Sequence, residues 1–180
     1  MDERVSGKIA TLPSVNESLN QNSFVYRICF ATQRDSKNKM CPAIRNFTPS
    51  KNDTDGLSVD WEMLTTPEES IARFGAQYKY GKIGVYKEYK DHEIYKLFIE
   101  YIKQLPDITD VIYSPIRKEH PPKGAPNNLA HSSITFTKHP LEDECETLLR
   151  MRDHAIENLI VPIDMNIVDK EVSRLREQGD

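Results

Sequence analysis

The chain reads as a single α+β domain, with a mixed but mostly antiparallel sheet and helices packed against it. Three observations predict this. Runs such as Phe24–Phe30 (FVYRICF) are β-branched and aromatic, as strands are. Between them stand segments with helix-start chemistry, clearest at Thr66-Pro67-Glu68-Glu69. The strand-like runs are half polar, which argues against an all-parallel sheet covered on both faces. With 180 residues the chain is long enough for one core without staples.

In chain order, residues 1–23 are rich in Ser, Asn and Gln and read as a flexible or peripheral arm. The α+β domain then spans 24–163, and 164–180 form a charged, helical tail. Phe24–Phe30 is the first strand, and Ala43–Thr48 a short second one before Pro49. Lys51–Gly56 (KNDTDG) is a turn whose Asx side chains bond the backbone, and Gly56 supplies positive φ. Leu57–Trp61 alternates apolar and polar as a half-buried strand does. A helix follows over Pro67–Ala76: Thr66 is its N-cap, Pro67 takes the first helical position and Glu69 closes a capping box.

Ile83–Tyr89 is expected to be a strand, and Asp91–Leu105 a helix with Ile94, Phe98, Tyr101, Ile102 and Leu105 on one stripe. Val111–Ile116 and Leu129–Thr137 are further strands. Between them RKEHPPKGAPNN reads as an exposed loop. Pro140 is expected to open the longest helix, with Glu142, Asp143 and Glu144 favouring its N-terminal dipole.

Composition bounds the function. Net charge is −4, so a general nucleic-acid coat is disfavoured. A local basic patch at Arg117, Lys118, His120 and Lys123 leaves an acidic partner or an RNA backbone open. Three separated cysteines, Cys29, Cys41 and Cys145, indicate neither a zinc ribbon nor a disulfide framework. No secretory leader and no run of 18 apolar residues is visible, so cytoplasmic residence is expected. Lys51–Glu62 matches a calcium loop at four positions but places an ammonium at the first, where a carboxylate belongs. No metal or cofactor is therefore expected. P-loop, dinucleotide and nucleophile-elbow signatures are absent as well.

Three residues stand out as ligand-binding candidates. Arg27 lies mid-strand, where its guanidinium must pair or meet an anion. Asp60 closes the Leu-Ser-Val-Asp strand. His131 stands at the mouth of a strand among Asn128, Ser132 and Ser133, on the strand face of Leu129, Ser133 and Thr135. It would either hold a neighbouring loop or act on a ligand.

Phe47-Thr48-Pro49, Gly56-Leu57-Ser58-Val59-Asp60, Thr66-Pro67-Glu68-Glu69, Gly84-Val85 and Asn128-Leu129-Ala130-His131 occur in that order. Together they resemble a family of small bacterial proteins with no established activity. The resemblance covers about Tyr26 to Ile134 and departs between Val85 and Pro115. It implies a bacterial, cytoplasmic origin. Two readings of function are expected from the residues: a non-enzymatic module that docks on a larger protein, or a small nucleotide- or NAD-handling enzyme laid out like ADP-ribosyltransferases, with a toxin-related role left open. Convergence of Arg27, Asp60 and His131 in one pocket would favour a ligand.

Overall fold

A computed structural model describes residues 11–39, 41–49, 56–79, 82, 84–116, 127–138, 140 and 145–179. It shows a five-stranded antiparallel sheet with four α-helices, an α+β domain as the sequence predicts. The strands are β1 (Phe24–Phe30), β2 (Leu57–Trp61), β3 (His92–Phe98), β4 (Ile108–Tyr113) and β5 (His131–Phe136), in the order β3-β1-β2-β5-β4. The helices are α1 (Pro67–Gly75), α2 (Ile99–Lys103), α3 (Glu146–Ile156) and α4 (Met165–Gly179).

Alternation along the strands sorts the side chains into two layers. One face carries Val25, Cys29, Val59, Trp61, Leu97, Val111, Tyr113 and Ile134, packed with Leu148, Met151 and Ala155 of α3 and with Ile99 and Ile102 of α2. Burial pushes the Cys29 thiol up to about 12, so it serves as a small apolar side chain. The other face offers Tyr26 and Ile94 to Ile71 and Ala72 of α1 and to Val168 and Val172 of α4. The segment 164–180 is thus helical over Met165–Gly179 and seats two valines in the core. Asp164 caps its first turn, Arg176 reaches the Gly75 carbonyl at 2.8 Å and Tyr89 bonds Asp169 at 2.7 Å.

The start of α1 matches its sequence signature residue for residue. The Thr66 side chain accepts from the Glu69 N–H, and the Glu69 carboxylate accepts from the Thr66 N–H. Gly56 has φ +102°, and a Cβ there would lie 2.2 Å from the Ile134 carbonyl oxygen. Only glycine lets β2 begin this close to β5.

Four expectations are corrected. Asp91–Leu105 is not one helix: His92–Phe98 is β3, paired with all seven residues of β1, and only Ile99–Lys103 is helical. Seven strand pairs outweigh a helical stripe that Tyr95 and Leu97 also satisfy as strand residues. Ala43–Thr48 contains a 3₁₀ turn, Ile44–Phe47, which buries Phe47 and Asn46 where a strand would expose one of them. Ile83–Tyr89 is not a strand over its described residues, 84–89, which hold one isolated bridge, Tyr86 to Tyr78, flanked by the Lys79 N–H to the Val85 carbonyl and the Lys87 N–H to the Gln77 carbonyl. The helix expected from Pro140 starts at Glu146, because Cys145 is extended at its N-cap. The acids 142–144 lie outside the described residues.

Both outer strands carry extra main-chain partners. Residues 16–19 bond Tyr113 and Val111 along β4, and residues 158–160 bond Ile94 and Lys96 along β3. The segment 11–23 is thus peripheral yet bonded, with Leu19 buried. Among the described residues no helix is long and apolar enough to cross a membrane.

Candidate functional site

Helices α1 and α4 cover the β1–β3 half of their sheet face, and the β2–β5 half is left to polar side chains. Tyr26, Asp60 and His131 are consecutive cross-strand neighbours there, because Tyr26 pairs with Asp60 and Asp60 with His131. Ser58 and Ser133 form the next such pair. The β1–β2 ladder is short, registering at Val25–Trp61 and Tyr26–Asp60. Beyond it Arg27 bridges the two chains: Nε donates to the Asn46 carbonyl and an Nη to the Ser58 carbonyl, both at 2.7 Å. Asn46 in turn accepts from the Phe30 N–H and donates to the Gln33 carbonyl.

The edge of α1 overhangs this divergence and closes a cavity of 320 Å³. Arg27, Asp60 and His131 all line it, together with Ser70, Arg73, Phe74 and Gln77 of the α1 segment. The wall is completed by Phe30, Lys87, His92 and Asn128. A hollow of 530 Å³ beside Phe98, Tyr101 and His154 is larger but more open, and Glu100 is its one permanently charged side chain. Charge density therefore favours the smaller cavity as the site.

Asp60 is nearly buried, and both its oxygens are engaged. One accepts from the Asn128 amide at 2.7 Å, and the other stands 3.4 Å from Arg73. Asn128 also accepts from the Ala130 N–H at 3.1 Å, which fixes its amide orientation. Arg73 further donates to the Thr65 and Ser70 hydroxyls. Its Nε is buried with no hydrogen-bond partner.

His131 is held from behind. Its Nδ1 lies 2.7 Å from the Ser114 carbonyl and 3.1 Å from the Ser114 hydroxyl. A carbonyl only accepts, so Nδ1 is the donor to the Ser114 carbonyl. The Ser114 hydroxyl is shared with Ser133 at 2.8 Å. His131 thus both anchors the residues after β4 and lines the cavity.

The far wall is aromatic. The His92 ring stands 4.5 Å from Phe30 and 4.6 Å from Phe74, and both its nitrogens are buried without hydrogen-bond partners. Burial lowers its pKa; the nearby Tyr89 backbone pulls the other way without reaching hydrogen-bond geometry. Lys87 sits 4.7 Å over Phe74 and donates to Gln77 Oε1 at 2.6 Å. Burial lowers the pKa of its ammonium as well. Tyr26 is pushed up to about 12, first by burial and then by Glu62, Glu68 and Glu69, and stays a neutral phenol.

The arrangement can bind. Among the described lining residues Arg27 and Arg73 are cationic, Lys87 carries an amine and Asp60 is the one carboxylate. No three His, Cys, Asp or Glu side chains of the described residues gather as a metal site requires. Arg73, Asn128, Lys87 and His92 are additions to the three sequence candidates. A signal for Arg73 was present: Ser70, Arg73, Phe74 and Gln77 recur at helical spacing beside the buried Ile71 stripe. The basic patch at Arg117, Lys118, His120 and Lys123 and the loop 51–55 lie outside the described residues, although Ile116 and Asn128 are bridged at the cavity rim.

Fold and site together define an α+β domain with a cationic, aromatic-walled cavity on its sheet. Comparison with family models, with curated proteins and with solved structures finds no match to this chain.

Proposed function

We propose that the chain is a small-molecule-binding domain whose cavity takes a compact organic anion, a carboxylate or phosphate on a small body. The observation that carries this reading is that two arginines, Arg27 and Arg73, stand against one carboxylate, Asp60, around one cavity. An entering anion would offset the excess positive charge. The aromatic wall would hold its apolar part. A volume of 320 Å³ lies at the small end for ligand pockets, which argues for something smaller than NAD. Asp60, the one carboxylate among the described lining residues, is held by Asn128 and Arg73 and no glutamate joins it, so binding is favoured over turnover of the ADP-ribosyltransferase kind.

Thermal melts of the full chain with millimolar pyruvate, lactate, inorganic phosphate, AMP and NAD test this. A ligand above its Kd stabilises the fold that binds it. A rise in Tm with at least one small anion, reduced in Arg73→Met, is expected. The absence of a rise with every anion would overturn the reading.

Docking on a larger protein is compatible with this and has its own support. Leu159, Val161 and Ile167 are exposed apolar side chains near the α3–α4 connection, Val161 at 73%. If they form the contact, Val161→Asp with Ile167→Asp abolishes complex formation in a pull-down and leaves ligand-induced Tm shifts unchanged.

A further inference from the structure

Among the described residues that line the cavity, Lys87 carries the one primary amine. Its position is set by the clasp between residues 77 and 87, closed by two main-chain hydrogen bonds of 2.9 and 2.6 Å. The side chain meets a neutral acceptor, Gln77 Oε1, and the face of Phe74. No carboxylate of the described residues stands within ion-pairing distance of it. An ammonium placed this way gives up hydration without gaining a counter-charge, which favours the free amine. A desolvated lysine amine is the nucleophile used for carbonyl compounds. The arginines of the same cavity suit a carboxylate next to that carbonyl.

Resting on the anion-binding reading, we propose that Lys87 forms a reversible Schiff base with a small 2-oxo acid whose carboxylate lies against Arg73. The amine lone pair attacks the carbonyl carbon as the C=O π electrons move to oxygen. The nitrogen loses a proton and the oxygen gains one, giving a carbinolamine. That hydroxyl leaves as water when C=N forms, so amine and 2-oxo acid become imine and water with no change in oxidation state. The Schiff base would extend the domain from holding an anion to distinguishing an oxo acid from its alcohol.

The experiment treats the full chain with pyruvate, and separately with lactate, in the presence of cyanoborohydride, followed by intact-mass and peptide analysis. Pyruvate is expected to leave one carboxyethyl group per chain, on Lys87, and lactate none. Lys87→Arg is expected to lose the adduct. Adducts scattered over surface lysines and unchanged in Lys87→Arg, alongside a Tm shift with pyruvate, would overturn the Schiff base and leave the anion reading standing. With no Tm shift from pyruvate, lactate or phosphate and no adduct, both fall. Mapping the adduct on the unmodified sequence makes the result independent of how the variant folds.

Discussion

Replacing Asp60 by asparagine removes the one carboxylate among the described lining residues while keeping its shape, and two opposite effects are expected. The first is a loss of stability. Removing one partner of a buried ion pair costs about 3–5 kcal/mol when the other is left uncompensated. Here the side chains are 11% and 15% exposed, and the contact, at 3.4 Å, is long. Arg73 also keeps Thr65 and Ser70, and an asparagine oxygen can still accept from Asn128. A cost of about 1–2 kcal/mol is therefore expected, or a fall in Tm of roughly 3–8 °C for a chain of this size. The second effect is tighter anion binding. A negative charge removed about 6 Å from a bound anion, at an effective dielectric of about 40, is worth about 1.4 kcal/mol, a tenfold gain in affinity. Calorimetric titration with pyruvate, paired with thermal melts, reads both effects. A variant with an unchanged Tm and equal or weaker pyruvate affinity would refute the electrostatic account of the cavity.

Thr66→Ala removes one half of the capping box that starts the helix bearing Ser70, Arg73 and Phe74; a loss of about 1 kcal/mol in chemical denaturation is expected. Gly56→Ala sets a methyl against the Ile134 backbone at a positive φ, and should cost more than about 2 kcal/mol or abolish soluble expression. Asp110 bears on pH. Burial raises its pKa, but Lys103, the Val111 N–H and Ser18 outweigh that and hold it below the usual carboxylate value. A lowered folded-state pKa means the stabilisation is present above about pH 4, the unfolded value, and is lost as pH falls through the folded one. The Tm gap between the native chain and Asp110→Asn is thus expected at pH 6 and should close on acidification toward pH 2.

Local chemistry was legible wherever a residue acts within its own turn of chain. The Thr66–Glu69 box declares α1, and Phe24–Phe30 declares β1 to the residue. What was not legible depended on partners distant in sequence. Ile94, Phe98, Tyr101 and Ile102 have helical spacing, yet β1 offers seven pairing positions and makes a strand of the first part. The site behaved the same way. Arg27, Asp60 and His131 could be singled out as polar groups in strand-like runs, and the register of β1, β2 and β5 then brought them to one cavity. Lys87 had no such signal. Its position comes from the clasp that ties residue 87 to residue 77 and from Phe74, and Ile83–Tyr89 read as an ordinary strand instead. Ser58, Asp60, Asn128 and His131, from the runs 56–60 and 128–131, line the cavity.

The short segments along the two outer strands have a consequence for assembly. An open strand edge recruits any extended peptide through main-chain groups alone, with little regard to sequence. Here residues 16–19 and 158–160 already occupy those donors and acceptors on parts of β4 and β3. Recognition at those stretches must therefore go through side chains, which is the selective way to meet another molecule. The segments act as plugs: cutting the chain after Ser23 would uncover Val111 and Tyr113, and a domain expressed from there is expected to self-associate where the longer chain does not.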